Sequence, residues 1–306
     1  MQNYPMIHRV LLGLLLLVPS AASGAEIGSA PKVSNWRVKS SPHFEVLHES
    51  AWSPSSIILE LERMYSTTRL TMSMFAPWMT TEKSKIYIYA SQGSYQRGEF
   101  SPPKWSKGLA YASKKTVVVY DTGDLFKLKA VIAHELGHLY FEGYFAEKLA
   151  YPPQWLNEGL AVYLEDRVFT EGGPWSCSLS YFPKERRIPP AKFFDAELDK
   201  LKSDDAISYW YLQSFATVSY LYKPQTRLQF KNFCSALRDG ADVKTALWKT
   251  YRIRDRRDFA RKWTAWVEEY GSKAGKSGVS SSFSNSFTFK PMQFSSYTFT
   301  QFGQKK

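Results

Sequence analysis

Cysteine is nearly absent from this 306-residue chain: Cys177 and Cys234 are the only two. That excludes a disulfide scaffold, and without C-x-x-C spacing it argues against a cysteine-ligated zinc site. One Cys177–Cys234 bond in an oxidising compartment stays open, because sequence does not fix the distance between their Cα atoms. Beyond the first twenty-odd residues, no apolar run is long enough to cross a bilayer. No segment repeats. The 40 lysines and arginines are dispersed, and no nucleic-acid motif accompanies them. The formal charge of +12 therefore reads as a solvated basic surface, open to weak association with an anionic membrane surface and implying no nucleic-acid partner. Histidine is scarce as well, five in all, and none follows His138.

The N-terminus has the shape of a secretory signal. Arg9 precedes the apolar run 10–18 (VLLGLLLLV), Pro19 breaks that run, and Ser23-Gly24-Ala25 fits a small-residue cleavage site. Residues 1–25 are expected to be a cleavable signal peptide, which puts the mature chain in a periplasm or the extracellular medium and suits a bacterium. No cysteine lies near the cleavage site, so a lipoprotein anchor is excluded.

Strands are expected at 44–47 (FEVL), 85–90 (KIYIYA), 108–112 (GLAYA) and 116–120 (TVVVY), from alternation and β-branched content. A helix opening at Ser53-Pro54 carries an apolar pattern from Ile57 to Phe75. The segment 121–124 can cap a helix running from about 125 to 140. That helix is apolar nearly all round at its centre (AVIAHELGHLY), so it should be buried. After Tyr151-Pro152-Pro153 a second helix is expected at about 154–167. Residues 26–42 read as a polar lead-in and 172–190 as an irregular excursion. Four helices follow at 208–222, 225–238, 243–251 and 255–269. From Ser272 the chain turns rich in serine, phenylalanine and threonine, and 272–306 is expected to be a flexible tail.

The first expected buried helix contains His134-Glu135-Leu136-Gly137-His138, an H-E-x-x-H motif. Positions i and i+4 share one helix face, so two imidazoles can bind one zinc ion while Glu135 reaches a zinc-bound water. Two histidines and a glutamate buried without a ligand would be costly. A catalytic zinc takes three protein ligands and keeps one position for water. A third histidine would require the chain to fold back to His43 or His48. The better candidate is Glu158, which opens the next helix in the apolar run 155–164 (WLNEGLAVYL).

The pair HELGH and Trp155-Leu156-Asn157-Glu158-Gly159-Leu160-Ala161 resembles the gluzincin metallopeptidases of the peptidase MA-like group. The second motif is similar to the W-x-N-E-G-x-A of zinc aminopeptidases. Glu158 falls twenty positions after His138, in keeping with that resemblance. It implies one Zn2+ held by His134, His138 and Glu158, with Glu135 as general base. It also implies a tyrosine that stabilises the oxyanion, matched here by Tyr211. The implied fold class is α+β: a zincin-like catalytic domain over 26–170, with a small mixed sheet and the active-site helices, then a helical subdomain over 171–271. The implied activity is hydrolysis of peptide bonds in a peptide or protein substrate. The aminopeptidases carry an acid on the strand before the zinc helix to grip a free amine, and 108–112 has none. Endo- and aminopeptidase action therefore stand level. The competing expectation is a non-catalytic zinc-binding envelope protein that contacts a partner or an anionic surface. Nothing in the sequence fixes the oligomeric state.

Overall fold

β-Branched and aromatic residues at alternating positions build the sheet. The structure is a computed structural model that describes residues 36–49, 55–104, 106–169 and 172–276. The expected signal peptide, the start at Ser53-Pro54 and the tail beyond residue 276 lie outside the described residues. Among the described residues, β1 (Arg37–Ser40), β2 (Phe44–His48), β3 (Ser84–Tyr89), β4 (Gly108–Tyr111) and β5 (Thr116–Tyr120) form one sheet in the order β1-β2-β3-β5-β4. The inner strands β2, β3 and β5 run parallel, and the two edges, β1 and β4, are antiparallel to their neighbours. Side-chain alternation sends Ile86, Ile88, Val117 and Val119 to the helical face. Tyr89, Leu109 and Val118 point the other way, against Tyr95, Trp36 and Phe100.

Parallel neighbours need a crossover, which α1 (Ser55–Met72) supplies between β2 and β3. A short α2 (Gln92–Arg97) follows β3, closed by a capping box from Ser91 and Ser94. Next comes α3 (Leu125–Ala146), whose first free N–H groups are satisfied by Asp124: its carboxylate accepts from Phe126 N at 2.9 Å and Lys127 N at 3.2 Å. The chain then turns into α4 (Gln154–Asp166). The remaining helices are α5 (Pro174–Ser180), α6 (Pro190–Phe193), α7 (Asp204–Leu221), α8 (Arg227–Arg238), α9 (Val243–Tyr251) and α10 (Arg256–Lys276).

The fold is thus α+β: a small mixed sheet with the large helices against one face and the short α2, through Tyr95, against the other. Several local expectations shift. The polar lead-in contains β1, an exposed edge strand of Arg37, Val38, Lys39 and Ser40 whose pairing with β2 leaves little hydrophobic trace. The helix carrying the histidines runs six residues past Tyr140, because Phe141, Tyr144 and Phe145 continue its buried face. The excursion after Gly172 holds α5 and a 3-10 turn at Lys184–Arg186, and α10 extends to Lys276. Cys177 is exposed, Cys234 is buried, and both are free thiols.

α4 is the hub of the helical layer. It packs between α3 and α7, and every residue from Trp155 to Asp166 is buried. Two glycines make this closeness attainable. A Cβ on Gly137 would lie 2.9 Å from the Ala161 Cα, and one on Gly159 would lie 2.5 Å from the Ser214 carbonyl oxygen. Both contacts involve backbone, which cannot swing aside. Gly159→Ala should destabilise the protein by about 1–3 kcal/mol through overpacking. Gly143→Ala in α3, whose nearest obstacle is the Ala112 Cβ at 3.9 Å, should stabilise it by roughly 0.5–1 kcal/mol through helix propensity. Chemical unfolding of the two variants should therefore give shifts of opposite sign; equal shifts would contradict the packing described.

Candidate metal centre

Three acids of α4 are buried: Glu158, Glu165 and Asp166 are 2%, 0% and 5% exposed. A buried carboxylate is costly unless charge or donors compensate it. Asp166 is compensated by protein: its Oδ1 accepts from the backbone N of Trp175 at 2.9 Å and of Ser176 at 3.0 Å, and Ser176 Oγ donates to its Oδ2. Glu165 is compensated too. Its Oε1 accepts from Trp175 Nε1 at 3.0 Å, and its Oε2 lies 3.3 Å from His134 Nδ1. Glu158 is different, because its Oε2 has no hydrogen-bond partner.

That oxygen instead faces the two motif histidines, 3.7 Å from His134 Nε2 and 3.8 Å from His138 Nε2. The two Nε2 atoms are 3.1 Å apart. His134 and His138 are themselves 1% and 2% exposed. Ligands of a tetrahedral zinc at about 2.0 Å stand roughly 3.3 Å from one another. The observed triangle has about that size. His134, His138 and Glu158 therefore fit a divalent metal, and they are the group among the described residues that could hold one. His43 is not part of it: its Nδ1 lies 2.6 Å from Glu62 Oε2 and its ring stacks on Tyr65.

Glu135 sits next to the triangle on α3. Burial pushes its carboxyl up to about 7; the charge of Glu158 adds to this and His134 partly opposes it. A Cβ on Gly108 would come within 2.7 Å of Glu135 Cγ and Oε1, so the carboxylate lies against the backbone of β4. The start of β4 is fixed from the other side. Ser106 Oγ donates to the Gly108 carbonyl at 3.0 Å, which leaves the Tyr95 hydroxyl to donate to Ser106. Tyr211, on α7, is 1% exposed and packs against Trp210 and Trp175, the indole that holds Glu165.

The profile of the peptidase MA superfamily matches residues 79–269, well over half of the chain. The chain belongs to the peptidase MA superfamily. Membership makes it a peptidase in general terms, a hydrolase acting on peptide or protein substrates, in a superfamily that is typically metal-dependent. Comparison with curated protein sequences finds no significant match. In this peptidase the structure brings His134, Glu135, His138 and Glu158 together. Sequence reasoning missed Glu165, Trp175, Ser106 and Tyr95. Glu165 stands seven positions after Glu158, two helical turns on and so on the same face of α4, a spacing that gives its face but not its partner.

A carboxylate at Nδ1 fixes the tautomer of a metal-binding histidine and raises its basicity. Glu165→Gln should weaken divalent-metal affinity about 10–100-fold, read by chelator competition. An unchanged affinity would exclude this role. Burial alone would lower the His134 pKa, but the carboxylates of Glu158 and Glu165 facing the ring outweigh it and raise it above its ordinary range, which favours the protonated imidazole. A cation must displace that proton. Metal uptake should therefore release protons, and apparent affinity should rise from pH 6 to pH 8 in calorimetric titrations. A flat profile would count against the arrangement.

Proposed function

We propose that the protein is an exported zinc-dependent metallopeptidase, with His134, His138 and Glu158 as ligands and Glu135 as general base. The observation that carries this reading is the buried, unpartnered Glu158 oxygen facing two imidazole nitrogens in a chain of the peptidase MA superfamily. Two imidazoles and one carboxylate are a catalytic rather than a structural donor set, since a structural zinc is closed by four protein ligands. Bound zinc supplies a Lewis acid that acidifies water and polarises a carbonyl.

The remaining work falls to the chain itself. Glu135 takes a proton from the attacking water and delivers it to the leaving amine. Its place beside the ligands on α3 and against the start of β4 puts it within reach of both halves of that transfer. β4 is an edge strand, and an extended peptide can add to such an edge through main-chain hydrogen bonds. Glu135 lies against Gly108 of the same strand, so a peptide laid there passes beside the base. Tyr211 is assigned as donor to the oxyanion; its support is its place on α7 against Trp175, one residue removed from the His134–Glu165 contact. Residues 108–112 carry no acid to grip a free amine, which favours internal cleavage no less than removal of an N-terminal residue. The apolar run 10–18 and the small residues at 23–25 support export.

Glu135→Gln should still bind one zinc per chain while peptide cleavage falls by about 10²–10⁴-fold. Cleavage of a mixed peptide library at the wild-type rate by that zinc-loaded variant would overturn the assignment. Gly108→Ala, which drives a methyl into the Glu135 carboxylate, should lower kcat with zinc retained, measured on the same library.

A further inference from the structure

A metal-binding histidine is oriented through its other ring nitrogen. For His134 that partner is Glu165. The Nδ1 of His138 is buried and has no hydrogen-bond partner. One turn further along α3, on the same face, Glu142 Oε1 stands 3.8 Å from that atom. His138 is the only ion-pair partner of Glu142 among the described residues. The Glu142 carboxylate does not hang free, because Asn157 Nδ2 donates to the same Oε1 at 2.8 Å. Asn157 is 4% exposed and immediately precedes the ligand Glu158. Its Oδ1 has no partner of its own. Turning the amide over would set that oxygen against the carboxylate, so its orientation is fixed.

We propose that Glu142 is the positioning carboxylate of His138, accepting its Nδ1–H when a divalent cation engages Nε2, and that Asn157 holds Glu142 for this role. The inference rests on the metal-binding reading above. The 3.8 Å separation is longer than a hydrogen bond, and a small turn of either side chain closes it, as such contacts tighten when a site is engaged. Asn157 then does more than spell part of a motif: one residue before a ligand on α4, it braces the support of another ligand on α3. The bland alternative is that the Glu142–Asn157 contact merely ties the two helices together. That role would contribute to the metal-free fold and leave metal affinity alone.

The test uses the full chain as wild type, Glu142→Gln, Asn157→Ala and the double variant. Zinc affinity is measured by chelator competition, Co2+ loading by its visible absorption, and the metal-free Tm by calorimetry. Glu142→Gln should raise the zinc Kd about 10–100-fold and alter the Co2+ spectrum while leaving the metal-free Tm unchanged. Asn157→Ala should weaken binding in the same direction, and the double variant should be no worse than Glu142→Gln, because Asn157 acts through Glu142. The proposal is overturned if Glu142→Gln binds zinc within twofold of wild type. It is equally overturned if the two single losses multiply in full, or if only the metal-free Tm falls. Wild type taking up no stoichiometric zinc would bring down the metal-binding reading itself; tight wild-type uptake matched by Glu142→Gln would bring down this inference alone.

Discussion

Everything at the centre of this protein depends on one contact, the approach of α4 to its neighbours at the van der Waals limit. Gly137 and Ala161 let α3 and α4 touch, and Gly159 and the Ser214 carbonyl let α4 and α7 touch. Wider spacing would keep Glu158 from the two imidazoles. The hydrophobic residues around the helices supply the drive to pack, while the glycines set how close packing can come.

Close packing also creates the electrostatic demand that the site answers. A helix buried all round has no solvent for its acids. α4 nonetheless carries three, and the fold answers two of them with donors from the start of α5 and from α3. The third is left facing the histidines. Each acid buried beside its neighbours also makes the next one harder to ionise, so burial holds Glu135, Glu142 and Glu165 above the ordinary carboxyl range. Charge is concentrated here in a way that only a cation or protons can balance.

Much of this was legible in the sequence, unevenly. Val117 to Val119 and the apolar run around His134 announce a strand and a buried helix through period and length. The histidine pair and Glu135 follow from helical spacing. β1 was invisible because an exposed edge strand of arginine and lysine is held by backbone hydrogen bonds to β2, which leave no hydrophobic pattern. Glu165 and Glu142 were on the page as ordinary acids. Nothing in a linear reading distinguishes an acid facing solvent from one facing a ring nitrogen, since that depends on which helix lies across from it. Trp175 shows the same limit: its indole reaches Glu165 from a segment that read as irregular.

The position of α4 has a kinetic side. Segments that open easily are those with few buried contacts and exposed backbone hydrogen bonds. α4 has the reverse character, enclosed between α3 and α7. Baring Glu158 from the α3 or α7 side would require separating packed helices. Losing Glu158 as a partner of an ion seated there would require α4 to part from its neighbours, which ties that loss to opening of a large part of the fold.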